Sequence, residues 1–481
     1  MTSLRPMQQY VILPVRHDGC MPPSAASPPR SMSQRVKQNV ARLESPGRIP
    51  GIDLARSLAI LGMYVAHLTV VTSLEWSRPQ TWLGVVEGRS AILFATLAGV
   101  SLGLMGSRMR AQAGEHDAAR AQRKPIMIRA VLIWTLGLLL LSLDIPVFVV
   151  LPAYGLLLMI GAFLVTWSGR ALAITAALTA AVASFVVALI DSGGQPERGS
   201  AAELVSDVLG WNYPFVVWLA FVAAGIIAGR VIRRGIGPTV LLLVSGAALS
   251  VLGYAVLGPV GNQVIARYGA DLPAGSTFWA LSVFRDDPHS NGVGEAFGSG
   301  GFALAVLAVS VLVATTSLRW LLWPVRVIGS MPLTAYTAHL LVWGIWIMVT
   351  PGVGSDIHRL HGFLALDPFW PITLGVTAGC IAWTLIWGKG PMEQLVHVVS
   401  TGAGGPAGWL MAAAPRRARN ADYRAATARA KRASESYSAA TSKVDAVLMI
   451  SSAPVRSNRS LISLTTRSSV PAMTVARDSA T

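Results

Sequence analysis

Ten stretches of the chain are apolar for long enough to read as membrane-crossing helices: 51–73, 90–107, 126–143, 152–167, 171–190, 213–228, 239–257, 301–316, 325–349 and 370–388. A hydrocarbon layer roughly 30 Å thick calls for about 20 helical residues, and most of these runs approach that length. The pattern predicts an all-α polytopic integral membrane protein with about ten transmembrane helices. Outside the runs the character changes. Residues 1–48 are rich in Pro, Ser, Arg and Gln without sustained periodicity, and residues 403–481 are dominated by Ala, Ser, Arg and Thr. Both read as disordered basic tails flanking a transmembrane domain over 49–402.

The polar segments between the runs set an orientation. With a cytoplasmic N-terminus, the basic loop 108–124, the Arg170 turn, the Arg230–Arg234 turn, the Arg319–Arg326 turn and the C-terminal tail all fall on the inner side. The acidic or mixed connections fall outside. This is the positive-inside pattern, met at every connection, and it predicts both termini in the cytoplasm of a plasma (inner) membrane protein. The formal charge of +16 then belongs to inner loops and tails that meet membrane lipids, not to a nucleic-acid surface. Cys20 and Cys380 lie in a tail and an apolar run and suggest no disulfide.

The first run carries polar groups that a bilayer penalises. Asp53 and Arg56 open it and His67 lies deep inside. An ionisable side chain at the centre of a membrane helix costs roughly 2.5–3.5 kcal/mol on insertion scales, so it is a functional candidate by default. At about 100° per residue, the eleven residues from Arg56 to His67 return to within roughly 20° of the same direction. One face therefore carries carboxylate, guanidinium and imidazole. His67 reads either as a histidine hydrogen-bonded within the bundle or as a general base, since imidazole titrates near working pH. Asp53 and Arg56 read either as an interfacial ion pair or as the cationic end of a site for a phosphorylated donor.

Other candidates lie further along. His339 is mid-span in the ninth run, with Tyr336 one turn before it and Pro332 placed to kink the helix; packing and a second active-site imidazole both fit. Arg89 starts the second run, as a snorkelling anchor or as a group that binds an acceptor. Arg129 starts the third run, as an inner anchor or a donor-phosphate contact. The connection 258–298 reads as a long polar loop. It holds Asp286, Asp287, His289 and Glu295, and is either solvated or a lid that brings His289 or Glu295 to the outer mouth. The near-consecutive spacing of these groups does not make a metal site, and no metal is expected. Trp82, Trp211, Trp320 and Trp370 at span ends read as an interfacial belt.

The first run also carries a resemblance. Asp53-x-x-Arg56 followed by His67, fourteen residues after the aspartate, looks like the first helix of the acyltransferase-3 family. The segment from Glu87-Gly88-Arg89-Ser90 through Leu97-Ala98-Gly99-Val100-Ser101 resembles the second helix of YeiB-like membrane proteins. These are grouped with the catalytic domain of heparan-alpha-glucosaminide N-acetyltransferase. Pro288-His289-Ser290, Gly298-Ser299-Gly300-Gly301-Phe302 and Met331-Pro332-Leu333-Thr334-Ala335-Tyr336 are similar to bacterial members of that group. The heparan-type enzymes place a catalytic histidine in the loop after the first helix. Residues 74–88 contain none, so the base role carries over only to His67.

The resemblance implies transfer of an acetyl or other short acyl group from acetyl-CoA or another acyl-CoA. The acceptor would be a hydroxyl or amine of an envelope glycan, a lipid or a small molecule. Asp53, His67 and His339 would be catalytic, Arg56 and Arg129 would hold the donor, and Arg89, His289 and Glu295 would meet the acceptor. A homo-oligomer is compatible with this reading. The rival is a multi-pass transporter or lipid flippase without acyl-transfer chemistry, and a third reading is a non-catalytic membrane scaffold.

Overall fold

The computed structural model describes residues 31–401, apart from 46, 76, 112–115, 144, 195, 198 and 350–359, and without the side chains of 107–122, 347, 360 and 361. The expectations for 1–30 and 402–481, and for the side chains of Cys20, Arg108, Arg110 and Arg120, lie outside the described residues. The helices run in order α1 (Met32–Leu43), α2 (Pro50–Leu68), α3 (Arg89–Ala111), α4 (His116–Leu141), α5 (Leu151–Leu164), α6 (Gly169–Leu178), α7 (Ser184–Asp191), α8 (Ala201–Leu209), α9 (Phe215–Ile232) and α10 (Ile236–Val251). They continue with α11 (Gly258–Tyr268), α12 (Thr277–Ser282), α13 (Val293–Val313), α14 (Leu318–Leu321), α15 (Trp323–Ser330), α16 (Pro332–Val349), α17 (Leu360–Leu364), α18 (Phe369–Ile386) and α19 (Pro391–Thr401). Among the described residues there is no strand. The protein is all-α and polytopic.

Eight helical segments among the described residues are long and apolar enough to cross a membrane. Of the two remaining apolar runs, α5 has 14 residues, which makes it about 21 Å long. The other, 325–349, is not one span. Met331 leaves the helical region at φ −137° and Pro332 opens a new helix, α16. Proline has no N–H to give and disfavours helical backbone in the residue before it, which is why the run breaks there.

Burial sorts the spans into two groups. The segments of α2, α3, α9 and α13 are more than half buried, whereas those of α4, α6–α7, α10–α11 and α18 are less than a third buried. Exposed Ile174, Leu178, Val186, Leu241, Val244 and Leu374 lie on the second group. These faces suit a lipid environment, in which every backbone polar group is already bonded within its helix.

Small residues let the buried group close. A Cβ on Gly99 would run into the Val222 carbonyl and one on Gly225 into the Thr96 carbonyl. Gly103 meets Ile226 and Gly229 meets Val100 in the same way. Gly99-x-x-x-Gly103 and Gly225-x-x-x-Gly229 thus face each other across parallel α3 and α9, a crossing that needs close backbone approach. Gly329 of α15 rests on the Asp53 carbonyl of α2. Ser57 locks the same contact: its hydroxyl is 2.6 Å from the Val325 carbonyl and accepts from the Gly329 N–H at 2.9 Å.

Two segments expected to lack regular structure are helical. Within 1–48, α1 starts at Ser31, whose hydroxyl accepts from the Gln34 N–H. Its Leu43 is buried, while Asn39 donates to the Leu385 and Ile386 carbonyls at 2.9 and 3.2 Å. Arg42 donates to the Gly388 carbonyl at 2.5 Å. A mostly polar helix this short is set by tertiary contact: it satisfies the terminal carbonyls of α18, which lack partners in their own helix. Within 258–298, α11 continues α10 through a π turn over Leu252–Leu257, and α13 already begins at Val293. Pro259 lies in the first turn of α11, directly after the π turn.

Candidate functional site

Helix α2 runs between two polar clusters. At its Asp53 end, the buried Asp53 carboxylate takes Arg48 Nε at 2.6 Å on one oxygen and Arg56 Nη1 at 3.3 Å on the other. Arg56 Nη2 donates to Ser101 Oγ of α3 at 2.8 Å. The guanidinium is thereby fixed between two helices rather than extended along the surface. Arg48 is a partner that sequence reasoning missed, because it precedes the helix.

Arg56 lines a cavity of about 430 Å³ that also takes in Arg129 of α4, Tyr154 of α5, Ser330 of α15 and Glu393 and His397 of α19. The two arginines expected to hold a donor therefore share one cavity. Arg129 makes no hydrogen bond or ion pair with a described residue, and it shares the cavity wall with Tyr154, Arg56 and Glu393. Ser330 Oγ is buried without a hydrogen-bond partner among the described residues. Unsatisfied donors around a cavity fit an anionic or acceptor-rich ligand. Beside it, a second cavity of about 580 Å³ is lined by Arg48, Asp53, Arg56 and Arg233.

At the other end of α2, His67 Nδ1 lies 3.2 Å from His339 Nε2 of α16. The two rings stack at 5.4 Å between centroids and 22° between planes. His339 is fully buried, flanked by Tyr64 at 4.6 Å and Tyr336 at 5.1 Å. Tyr64 donates to the Ala335 carbonyl at 2.7 Å, which ties α2 to the turn of α16 preceding His339. His67 is only partly buried. One of these two nitrogens donates and the other accepts, so the contact fixes how the two rings present their remaining nitrogens. His339 Nδ1 has no partner among the described residues.

The remaining candidates gather at the same end. Arg89 Nε donates to the Tyr254 hydroxyl at 2.6 Å, and the guanidinium lies 4.7 Å from the Tyr254 ring centroid. That hydroxyl is also 2.6 Å from Ser299 Oγ. Tyr254 sits on the π turn, a device that reorients one side chain within a helix and is frequent at functional sites. Nothing in the sequence marks such a turn, so the sequence alone does not single out Tyr254.

Glu295, in the first turn of α13, is buried. Its carboxylate accepts from the backbone N–H groups of His289 at 2.8 Å and Asn291 at 2.7 Å, and from Ser290 Oγ at 3.2 Å. His289 has φ +63°, a left-handed conformation that is uncommon outside glycine. Its ring meets Tyr213 edge-on at 5.8 Å. It lines a cavity of about 390 Å³ with Asp191, Trp211, Asn212 and Asn291. Nearby, burial raises the Asp286 carboxyl above its ordinary range, partly offset by the Asn262 amide, which donates to it at 2.6 Å. The structure therefore places Glu295 as the organiser of the loop that presents His289.

The sequence-predicted residues thus fall into two groups. Asp53, Arg56 and Arg129 lie at one end of α2; His67, His339, Arg89, His289 and Glu295 lie at the other. Arg56 and His67 are about 16 Å apart along the α2 axis, from their spacing. A search of curated proteins finds no match. A family model described as heparan-alpha-glucosaminide N-acetyltransferase, catalytic, matches residues 48–254. That match takes in α2 with Asp53, Arg56 and His67, and extends to Arg89, Arg129 and Tyr254. Over this segment the chain is similar to the catalytic domain of heparan-alpha-glucosaminide N-acetyltransferase.

Proposed function

We propose that the protein transfers an acetyl or other short acyl group from an acyl-CoA to a hydroxyl or amine acceptor, with donor and acceptor entering from opposite ends of α2. The reading rests on one observation above all: a single buried helix carries a fixed arginine in a cavity at one end and a paired histidine at the other. The family uses acetyl-CoA as donor in general, and the Asp53 end has the chemistry for it. Arg56 and Arg129 hold phosphate oxygens, while Tyr154 and Ser330 offer hydroxyl donors to the pantetheine arm. The apolar walls around Phe94, Ile133 and Leu158 take the pantetheine arm, which has to bridge the roughly 16 Å along α2 to bring the thioester to His67.

At the other end, His67 removes the proton from the acceptor as its oxygen or nitrogen attacks the thioester carbonyl. The C–S bond then breaks and CoA leaves as the thiol after protonation. Its Nδ1 is engaged with His339, so Nε2 is the nitrogen that meets the acceptor. A positioned imidazole base is worth roughly 10²–10⁴-fold in rate. Asp53 acts indirectly by fixing Arg56. Arg89 meets an anionic group or the developing oxyanion of the acceptor complex. In this reading the Asp53 end faces the cytoplasm of a plasma (inner) membrane, where acyl-CoA is found, and the acceptor belongs to the envelope.

The test is turnover in nanodiscs. Acetyl-CoA is supplied with panels of amino sugars, lipid-linked glycans and small alcohols, and release of free CoA thiol is monitored. The expectation is acceptor-dependent release that His67→Ala lowers by about 10²-fold or more while acetyl-CoA still binds. Acceptor-dependent release that survives in well-inserted His67→Ala protein removes the base assignment.

A further inference from the structure

We propose that Glu393 is a positioning residue: it ties the wall of the donor cavity to the helix that carries His339. The proposal rests on the donor reading of that cavity. Helix α19 contributes Glu393, Val396, His397, Ser400 and Thr401 to the cavity wall. The Glu393 carboxylate also reaches the start of α16. One oxygen accepts from the Leu333 and Thr334 N–H groups at 2.7 and 3.1 Å, and the other takes the Thr334 hydroxyl at 2.5 Å. Thr334 Oγ1 in turn accepts from the Met392 N–H at 3.1 Å. A Cβ on Gly390 would collide with Glu393, Met331 and Thr334, so the turn before α19 is closed onto the same contact.

The usual cap of a helix start comes from the residue just before it. Here that place is Met331, which offers no polar side chain, and the cap is supplied instead from 60 residues later in the chain. A carboxylate at this point also meets the positive end of the helix dipole. The cap matters because Tyr336 and His339 lie within the next two turns of α16. A shift of α16 along its axis moves His339 relative to His67. On the cavity side, Glu393 lines the same wall as Arg129 and Arg56. Burial raises the Glu393 carboxyl above its ordinary range, and the Thr334 hydroxyl and the two N–H groups work against that rise. Glu393 therefore stands between an arginine of the donor cavity and the helix that sets the histidine pair, while being far enough along the chain from both to be absent from any local motif.

The test reads the histidine pair directly, without donor or acceptor. Carbethoxylation of His67 by diethyl pyrocarbonate is monitored by peptide mass spectrometry in nanodisc-embedded wild type, Glu393→Ala, Glu393→Gln and Thr334→Val. His67 is partly accessible, and its reactivity depends on whether His339 holds its Nδ1. The expected result is a change of threefold or more in the His67 rate in Glu393→Ala. Glu393→Gln, whose amide oxygen still accepts from the two N–H groups, is expected to stay nearer wild type than Glu393→Ala. A change below threefold in folded Glu393→Ala overturns the proposal. If that variant does not insert, Thr334→Val carries the same test with the same threshold. Acetyl-CoA binding, measured separately on wild type, reports on the donor reading, so the two failures are told apart.

Discussion

His67 and His339, 272 residues apart in the chain, meet at 3.2 Å through Nδ1 and Nε2. The contact joins the first membrane helix to α16 and turns two isolated intramembrane histidines into one unit. Groups that act as a unit give non-additive effects. We expect His67→Ala to lower acceptor-dependent CoA release by about 10²-fold or more. His339→Ala should cost less, on the order of 10-fold, and the double variant should be no slower than His67→Ala. Single-turnover rates for the four proteins check this; a double variant slower by the product of the two single effects contradicts it.

The Glu295 carboxylate makes a local prediction. It serves three donors of the segment 289–291, and each buried donor left unsatisfied costs about 1–3 kcal/mol. Glu295→Ala should therefore raise amide hydrogen exchange over 287–293 by roughly tenfold or more, while α2 and α3 keep wild-type protection. Unchanged exchange in that segment means that the loop is held by other contacts.

The α3–α9 crossing predicts a contrast between glycines. Gly225 leaves no room for a Cβ, whereas Gly375 on α18 has nothing within 4 Å of where one would lie. Gly225→Leu forces the two backbones apart and should cost on the order of 1–3 kcal/mol or more. Gly375→Leu replaces a poor helix former on an open face and should be neutral or mildly stabilising. Thermal unfolding in one detergent reads both; equal effects contradict the crossing.

Much of this organisation can be read from local spacing. Asp53, Arg56 and His67 announce themselves because they interrupt one apolar run at separations of three and eleven, and the helix converts those separations into a shared face. All ten apolar runs contain helix, but only eight of them belong to segments long and apolar enough to cross a membrane among the described residues. What the sequence hides is relations between helices. Nothing near His67 points to His339, and nothing near Arg56 points to Arg129, because those distances are set by how the bundle packs. Tyr254 depends on a π turn, which leaves no mark in the pattern of apolar residues. Arg48 lies outside the helix whose aspartate it serves, and Glu393 caps a helix start that is distant in sequence. The helix α1 was missed because its own residues are mostly polar; it is α18, with carbonyls in need of donors, that gives it a place.

Acetyl-CoA binding to the protein in nanodiscs, measured beside Arg56→Ala, Arg129→Ala and His67→Ala, decides whether the cavity at the Asp53 end is a donor site. A donor site there gives saturable binding that weakens by roughly tenfold or more in each arginine variant, since a charge-assisted contact is worth about 1.5–3 kcal/mol. His67→Ala should bind the donor as the wild type does. Binding unaffected by both arginine substitutions, or no binding by well-folded wild type, contradicts the donor site and with it the proposed transfer through α2.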